Sequence, residues 1–407
     1  MIYLLVAFIA VVMHIQPVLV NTEITRFYIT YWEFWCYWKN VLLFTCAAFI
    51  FLKLIFKAKP KWVWCFPILY LIEVYLSCYF SEYPNIAWNG YYNYREGGYS
   101  ILCYPILMIG AMSFADYKKI SIAIKISVLC VGFCGISSYL FGQFYNFPII
   151  KQLITGFNPQ FQLSGSTRPI MSTLMNANHL GLYCSLLMPF FMVKKQYFFV
   201  VILLFLTIGC ESRAAWLSVF LTCVWFVPSK KKDALALIPL LLIFHSEIFH
   251  KFENWKSDFR LEDKALSGRI YIWKNTMPLI NRNEMFSLGK GSSTFSLYFN
   301  QYDVEGLRRA GWSGDHTIID RPHNMYLQMI HASGWISCFL FLTMNLIFLL
   351  SAFFIGDKRV YSIAFSVLGF LICGFFTDSM VGVSPIYWVL LGTGYKCLEN
   401  INPDPST

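Results

Sequence analysis

Charged residues are scarce in this chain, and their scarcity excludes an ordinary soluble protein. Only 13% of the 407 residues are charged, whereas 57% are apolar. Many apolar windows approach the roughly 20 residues that a helix needs to cross a bilayer. These windows are spread over the whole chain, so the sequence predicts an all-α, polytopic membrane protein with a single membrane domain over residues 1–407.

Two further absences narrow the class. No cysteine lies between His250 and Pro322, the longest polar stretch, so no disulfide framework holds this stretch together. The apolar run Met1–Val20 lacks a basic start and a small-residue cleavage site, which favours a retained first helix over a signal peptide. The net charge of +10 is distributed in a way that indicates topology rather than nucleic-acid binding.

Hydropathy predicts about twelve membrane spans, and the basic residues orient them. Every second connection is rich in lysine or arginine, so those connections and both termini are predicted to be cytoplasmic. The long connection over residues 250–322 is then a loop subdomain outside the cytoplasm, because loops of that length translocate largely regardless of charge. The spans cover approximately residues 1–20, 38–56, 62–80, 100–115, 120–142, 177–193, 196–209, 213–227, 234–249, 323–355, 359–378 and 382–398.

This topology places four polar features on the exterior face. Arg213 begins the eighth span and His323 begins the tenth. Arg269 lies in the long loop, and Asn176-Ala177-Asn178-His179 starts the sixth span. Such side chains are costly to hold against lipid, so we expect them to meet in one polar, cationic site at that membrane surface.

The residue types in this set suit phosphate binding and proton transfer. A planar guanidinium holds phosphate oxygens through two parallel hydrogen bonds, so Arg213 and Arg269 are candidate clamps for a diphosphate. Pro322 fits a first helical turn, which places His323 at a helix N-terminus, where the dipole favours the neutral ring that a general base requires. Gly334 lies about three turns deeper on the same side and lets a neighbouring helix approach.

Each of these residues also has a purely structural interpretation. His323 is compatible with an ordinary interfacial histidine, and Arg213 with an ion pair to Glu211. Arg269 begins an amphipathic segment whose apolar face is predicted to lie on the domain or membrane surface, which would leave the arginine solvated. That face comprises Ile270, Trp273 and Met277.

Several other features are assigned no catalytic role. Ionisable residues inside predicted spans are read as structural or snorkelling groups. The aromatic run from Tyr83 to Tyr99 is read as an interfacial belt in preference to a sugar-stacking surface. Gly289-Lys290-Gly291 is too short for a phosphate-binding loop. The ionisable residues that lie inside predicted spans and are assigned no catalytic role are Glu73, Lys125, His331 and Asp378.

Four features together resemble the bacterial O-antigen ligase and polymerase superfamily. The resemblance runs from about Ser164 to the end of the chain, and the first five spans match by hydropathy alone. Ser337 stands where the family often has leucine, threonine or tyrosine, which leaves the subfamily open. The four features are His323-Asn324 followed by nine residues and Gly334, Arg213-Ala214-Ala215-Trp216-Leu217, Gly268-Arg269 leading into Ile272-Trp273, and a large exterior loop before the tenth span.

The resemblance implies a metal-independent, inverting glycosyltransferase of the GT-C-like membrane type, without a cofactor, in the bacterial inner membrane. Its donor would be a glycan on undecaprenyl diphosphate, used at the periplasmic face. Its acceptor would be a sugar hydroxyl of lipid A-core, which makes the enzyme an O-antigen ligase.

The resemblance also implies roles for individual residues. Arg213 and Arg269 would bind the diphosphate, and His323 would accept the proton of the attacking hydroxyl. Arg321 and Arg168 are further candidates for phosphate contact. The residues expected to support the site are Asn178, Asn324 and Gly334.

Three alternatives stay open at this point. An O-antigen or capsule polymerase would use the same donor with a second lipid-linked glycan as acceptor, and the shared motifs do not separate it from a ligase. A transporter of lipid-linked saccharides should show internal repeats, and the sequence has no evident repeat. A different polyprenyl-phosphate glycosyltransferase should carry an acidic catalytic residue in the first exterior loop, where Asn21–Tyr37 offers only Glu23 and Glu33.

Overall fold

Apolar helices form the part of the chain that the computed structural model describes, namely residues 1–12, 32–91, 95–141, 169–174, 176–226, 268–280, 288–299 and 319–401. These residues contain no strand, which confirms the predicted all-α class. The helices are α1 (Ile2–Phe8), α2 (Trp32–Lys57), α3 (Cys65–Tyr79), α4 (Pro84–Asn89), α5 (Gly98–Phe114), α6 (Tyr117–Phe141), α7 (Ala177–Val193), α8 (Tyr197–Gly209), α9 (Arg213–Phe226), α10 (Arg269–Ile280), α11 (Phe295–Phe299), α12 (Met325–Ile355), α13 (Lys358–Gly374) and α14 (Ser384–Ile401).

Four helical stretches among the described residues are long and apolar enough to cross a membrane. They are Cys36–Lys57, Trp62–Tyr79, Tyr117–Leu140 and Met325–Ile355, and each coincides with a predicted span. Three shorter apolar helices, α5, α7 and α8, also coincide with predicted spans. The predicted span over 234–249 lies outside the described residues, and both the total of about twelve spans and the side of the long loop stay predictions.

The predicted first span is wrong as a continuous helix. α1 ends at Phe8, and Ile9–Val12 form a turn whose carbonyl groups are bound by side chains from elsewhere. Lys39 Nζ donates to the carbonyls of Ala10 at 3.2 Å and Val12 at 2.8 Å, and Thr173 Oγ1 donates to Ala10 at 2.7 Å. These donors bind the carbonyl groups at the end of this described segment, as a buried backbone requires.

Two of the basic residues that predict the cytoplasmic side lie at the same end of the bundle. Lys396 Nζ donates to the carbonyl of Ser113 at the C-terminal end of α5, at 3.0 Å. Lys61, in the connection between α2 and α3, pairs with Glu399 at the end of α14. Lys61 belongs to a connection predicted to be cytoplasmic, and Lys396, near the end of α14, is among the basic residues that predict the same side. The N-terminal end of α5 lies about 25 Å from its C-terminal end along the helix axis. Glu96 lies just before that N-terminal end.

Small residues allow close packing in the centre of the bundle. A Cβ on Gly369 of α13 would lie 2.2 Å from the Ser185 carbonyl of α7, and one on Gly392 of α14 would lie 2.3 Å from the Met108 carbonyl of α5. Helices that approach this closely gain dispersion contacts, which stabilise bundles when lipid surrounds them. One contact packs α13 closely on α7, and the other packs α14 closely on α5.

The long helix α12 is kinked at Gly334. This glycine has φ 81° and ψ 174°, a conformation that belongs essentially to glycine alone. The sequence predicted an uninterrupted helix from His323 to Gly334 and assigned the glycine to close helix packing. The uninterrupted helix is wrong at Gly334, because the positive φ breaks the hydrogen-bond ladder about two and a half turns after the helix begins at Met325.

Groups from outside the helix bind the carbonyls that the kink releases. The Lys290 amide donates to the His331 carbonyl at 2.8 Å, and the Gly291 amide donates to the Ala332 carbonyl at 2.9 Å. The Ser77 hydroxyl of α3 also donates to Ala332. The Gly289-Lys290-Gly291 segment therefore completes α12 at its break, a structural role that the sequence did not indicate.

We predict that Gly334→Ala destabilises the fold more than Gly356→Ala does. An alanine at Gly334 would be forced into a conformation that costs roughly 3 kcal/mol. Gly356 has φ 74° and ψ 6° at the C-terminal end of α12, with open space around it, so alanine there costs about 1 kcal/mol. Thermal unfolding of the detergent-solubilised chain measures both, and equal losses would contradict the assigned kink.

Candidate active site

His323 and Asp378 form the centre of the candidate site. His323 Nδ1 lies 2.7 Å from Asp378 Oδ2. The histidine side chain is 23% exposed and the aspartate side chain 6% exposed, so the carboxylate is buried behind a ring that reaches solvent. A carboxylate at Nδ1 fixes the ring and leaves Nε2 as its reactive nitrogen.

The sequence placed His323 correctly at a helix N-terminus but misplaced Asp378. α12 begins at Met325 with Asn324 as its N-cap, so Pro322 and His323 precede the first helical turn instead of lying in it. Asp378 lies between α13, which ends at Gly374, and α14, so it is outside the apolar span to which the sequence assigned it. The group at the ring of His323 is thus a carboxylate, which sequence reasoning had set aside.

Neighbouring groups keep the Asp378 carboxyl ionised. Burial alone would raise the pKa of Asp378, but the His323 ring and the Arg321 guanidinium outweigh it and lower the pKa below its ordinary range. The Asp378 oxygen that does not face His323 has no hydrogen-bond partner within the described part of the chain. The carboxylate is therefore held as an anion by opposite charge.

Arg321 points into the protein and pairs with Glu96. Its Nη1 lies 3.0 Å from Glu96 Oε2 and also donates to the Ser379 carbonyl. Glu96 Oε1 accepts hydrogen bonds from Tyr104 Oη and, at 2.8 Å, from Ser379 Oγ. The sequence analysis proposed Arg321 as a phosphate contact, whereas its guanidinium is buried against a carboxylate.

Arg269 is brought to the pair by the docking of α10. Trp273, one turn after Arg269, donates from Nε1 to the Pro322 carbonyl at 2.9 Å and packs its ring on Phe375 and Phe376. These contacts lie on the two segments that carry His323 and Asp378. Burial lowers the pKa of the Arg269 guanidinium, Asp378 opposes that shift and Arg213 adds to it, so all three charges share one neighbourhood.

One side of α10 packs into the protein, and Met277 of the predicted amphipathic face is on the outside. Ile272, Thr276 and Leu279 are buried, together with Ile280, whereas Met277 is exposed. Trp273 is half-buried because it packs on the site segments. The surface position of the face formed by Ile270, Trp273 and Met277 therefore stays a prediction, and Arg269 is half-buried.

Arg213 is the first residue of α9, and α7 helps to position it. The preceding Ser212 hydroxyl donates to Asn178 Oδ1 at 3.1 Å, while the Asn178 amide is capped by Asn176 Oδ1 at 2.8 Å. His179, next along α7, is buried and interacts electrostatically with Arg321, Asp378 and His323. The structure thus brings together the segments that begin with Asn176, Arg213, Arg269 and His323.

Other sequence candidates lie elsewhere. Arg168 is outside the described residues. His331 is buried against the rings of Phe295 and Tyr298, and Lys125 lies over the Phe199 ring, so neither belongs to this site. Glu96 and Asp378 were missed, and the only local signal for Glu96 is an acidic residue in an otherwise aromatic and glycine-rich stretch.

Comparison with known families agrees with the motifs. Residues 198–342 match the model of a family described as O-antigen ligase, which confirms the resemblance to the O-antigen ligase and polymerase superfamily. The matched segment contains Arg213, Arg269, Arg321 and His323, but neither Glu96 nor Asp378. A comparison with curated proteins gave no match.

We predict that Asn324→Ala lowers the free energy of unfolding by about 1 kcal/mol. Asn324 Oδ1 accepts from the amides of Tyr326 and Leu327, both at 3.0 Å, and alanine leaves both donors without that acceptor. Asn324→Ser is the matched control, because serine is also a good N-cap and should retain most of the stability. Thermal unfolding measures both variants, and an equal loss in the serine variant would argue against the capping role.

Proposed function

We propose that this chain, whose residues 198–342 match a family described as O-antigen ligase, transfers a glycan from undecaprenyl diphosphate to a sugar hydroxyl of lipid A-core. The family match supports a ligase-type or polymerase-type enzyme in a membrane. The contact between His323 Nδ1 and Asp378 Oδ2 at 2.7 Å, beside Arg269 and Arg213, is the observation that carries the specific proposal.

His323 acts as the general base in this proposal. Asp378 accepts the Nδ1 hydrogen, which selects the tautomer whose Nε2 lone pair faces the acceptor hydroxyl. As the hydroxyl oxygen attacks the anomeric carbon, its proton passes to Nε2 and the bond from that carbon to the diphosphate oxygen breaks. The buried Asp378 carboxylate stabilises the imidazolium that forms, a role that buried carboxylates have in hydrolytic triads.

Arg213 and Arg269 receive the leaving group. Negative charge accumulates on the diphosphate oxygens as the bond breaks, and preorganised guanidinium groups stabilise that charge in a site with little water. Arg321 is left out of this role, since Glu96 and the Ser379 carbonyl already occupy its Nη1. Two cationic side chains then serve the two phosphates, and the proposed reaction needs neither a metal nor a cofactor.

The proposed site lies at the periplasmic face of the bacterial inner membrane. Lys61 and Lys396, two of the basic residues that predict the cytoplasmic side, contact the ends of α14 and α5 that lie away from Glu96 and Arg321. This arrangement supports the assignment of the site to the opposite, exterior side. Inversion at the anomeric carbon follows from a single displacement, in which the hydroxyl and the diphosphate occupy opposite faces of the sugar.

We predict that His323→Ala and Asp378→Asn each lower transfer by about 100-fold or more, because the base or its orientation is lost. A strain that lacks this chain and carries each variant should accumulate glycan on the carrier lipid. Asp357→Asn is the control, because Asp357 caps α13 and pairs with Arg359 away from the site. Normal transfer by a well-expressed His323→Ala protein would refute the proposal.

The same strain separates the two acceptors. Long polymer retained on the carrier lipid identifies a ligase, because polymerisation has been completed without transfer. A single repeat unit on the final acceptor identifies a polymerase, which is the alternative that shares this donor chemistry.

We predict that Arg213→Lys lowers the transfer rate by about 10- to 100-fold although the charge is kept. An ammonium group cannot form the two parallel hydrogen bonds of a guanidinium. Arg359→Lys is the control, since Arg359 is an exposed partner of Asp357. The measurement is the transfer rate of each variant with purified carrier-linked donor. Full activity of Arg213→Lys would show that Arg213 has a structural role only.

A further inference from the structure

We infer that Glu96 is a positioning residue that holds Asp378 against His323 by engaging both Arg321 and Ser379. The inference rests on the proposed function, because it concerns the geometry of the same base. It extends beyond the matched segment, since Glu96 lies in the connection before α5, far from residues 198–342 along the chain.

The residue after Asp378 is held at each of its polar groups. The Ser379 carbonyl accepts from Arg321, and its hydroxyl donates to Glu96 Oε1 at 2.8 Å. The same hydroxyl lies 2.9 Å from Ser384 Oγ, and the Ser379 amide donates to Gln328 Oε1 at 3.1 Å. Because Ser379 is fixed in this way, the backbone that carries the Asp378 carboxylate has little freedom to move.

Glu96 reaches both segments that carry the proposed base. Arg321 lies two residues before His323, and Ser379 follows Asp378 directly. One buried carboxylate thus bonds to a neighbour of each partner, with Oε2 on Arg321 and Oε1 on Ser379. A single anchor for both segments sets their separation, and that separation determines whether the imidazole meets the carboxylate.

Glu96 is itself rigidly placed. Its carbonyl accepts from Ser293 Oγ at 2.8 Å, in the segment that completes the kink of α12. The preceding carbonyl, that of Arg95, accepts from Asn40 Nδ2 at 2.8 Å and from Ser100 Oγ at 3.1 Å. The first helices therefore hold the anchor, and side chains of α2 and α5 transmit that placement to the site.

The buried charge of Arg321 also requires Glu96 as its counter-ion. Arg321 is 5% exposed, and an unpaired guanidinium at that depth would seek the nearest carboxylate. The charge of Arg321 already acts on Asp378. Without Glu96, two other carboxylates, Asp320 and Asp378, lie within the influence of Arg321, and a turn of the guanidinium towards Asp378 would weaken the orientation of the base. With Glu96 present, the charge of Arg321 is balanced by a carboxylate, and Asp378 stays bonded to His323.

Steady-state kinetics of the full chain in detergent, with purified carrier-linked donor, test the inference. We expect Glu96→Gln to lower kcat by about 100-fold, as expected for a misplaced catalytic group. The KM for the donor should stay unchanged, because the arginines proposed to bind the diphosphate are untouched. Glu399→Gln breaks the ion pair with Lys61 at the other end of the bundle and should leave kcat unchanged.

A double variant separates positioning from stability. Glu96→Met with Arg321→Met removes the buried pair without leaving a lone charge, so thermal stability should exceed that of Glu96→Gln, although Tyr104 Oη and Ser379 Oγ lose their acceptor. Neither methionine can bond to Ser379, so kcat should stay low. A double variant with normal kcat would overturn the inference, as would a Glu96→Gln protein with raised KM and normal kcat.

Chemical modification of His323 provides a readout that needs no substrate. Diethyl pyrocarbonate acylates the unprotonated imidazole nitrogen, and peptide mass spectrometry gives the rate at this residue. Loss of the Asp378 contact should slow the reaction in Asp378→Asn, in Glu96→Gln and in the double variant. Slowing in Asp378→Asn alone would overturn the inference. Absence of transfer by the unmodified protein would count against the proposed function instead, and the modification rates would still decide the role of Glu96.

Discussion

The candidate site depends on one requirement, that a charge removed from water must be paired with an opposite charge and with hydrogen bonds. Desolvating an isolated carboxylate or guanidinium costs several kcal/mol even after the protein relaxes. Two pairs satisfy the requirement here, His323 with Asp378 and Arg321 with Glu96. Since Ser379 joins the second pair to the first, each pair limits the positions open to the other.

The same requirement applies to the backbone and explains the kink in α12. A break in a helix surrounded by apolar groups is tolerated only where other donors replace the lost ones. Amides of Lys290 and Gly291, with the Ser77 hydroxyl, provide them. Ser293, from the same segment, also binds the Glu96 carbonyl, so the kink and the positioning of the site are parts of one hydrogen-bonded structure.

The site is cationic because helix starts converge on it. The segments at the beginnings of α7, α9, α10 and α12 meet there, with the side chains of Asn178, Arg213, Arg269 and His323. Backbone amides at helix N-termini add partial positive charge to that of the guanidinium groups. This combination suits a diphosphate leaving group, and one carboxylate facing the imidazole suffices to orient a base.

The sequence by itself determined the helical class, the positions of most apolar helices and the three residues proposed for chemistry, Arg213, Arg269 and His323. Hydropathy, and motifs that combine charge with spacing, are local properties that can be read along the chain. Only the tertiary structure decided that Asp378 faces His323, that Arg321 is paired with Glu96 and that Gly334 breaks its helix. Each of these depends on partners far apart along the chain, and an ionisable residue near an apolar segment looks the same whether it faces lipid, a counter-ion or a substrate. The missing information is spatial, because pairing energies depend on distance and burial, and neither is encoded in local residue order.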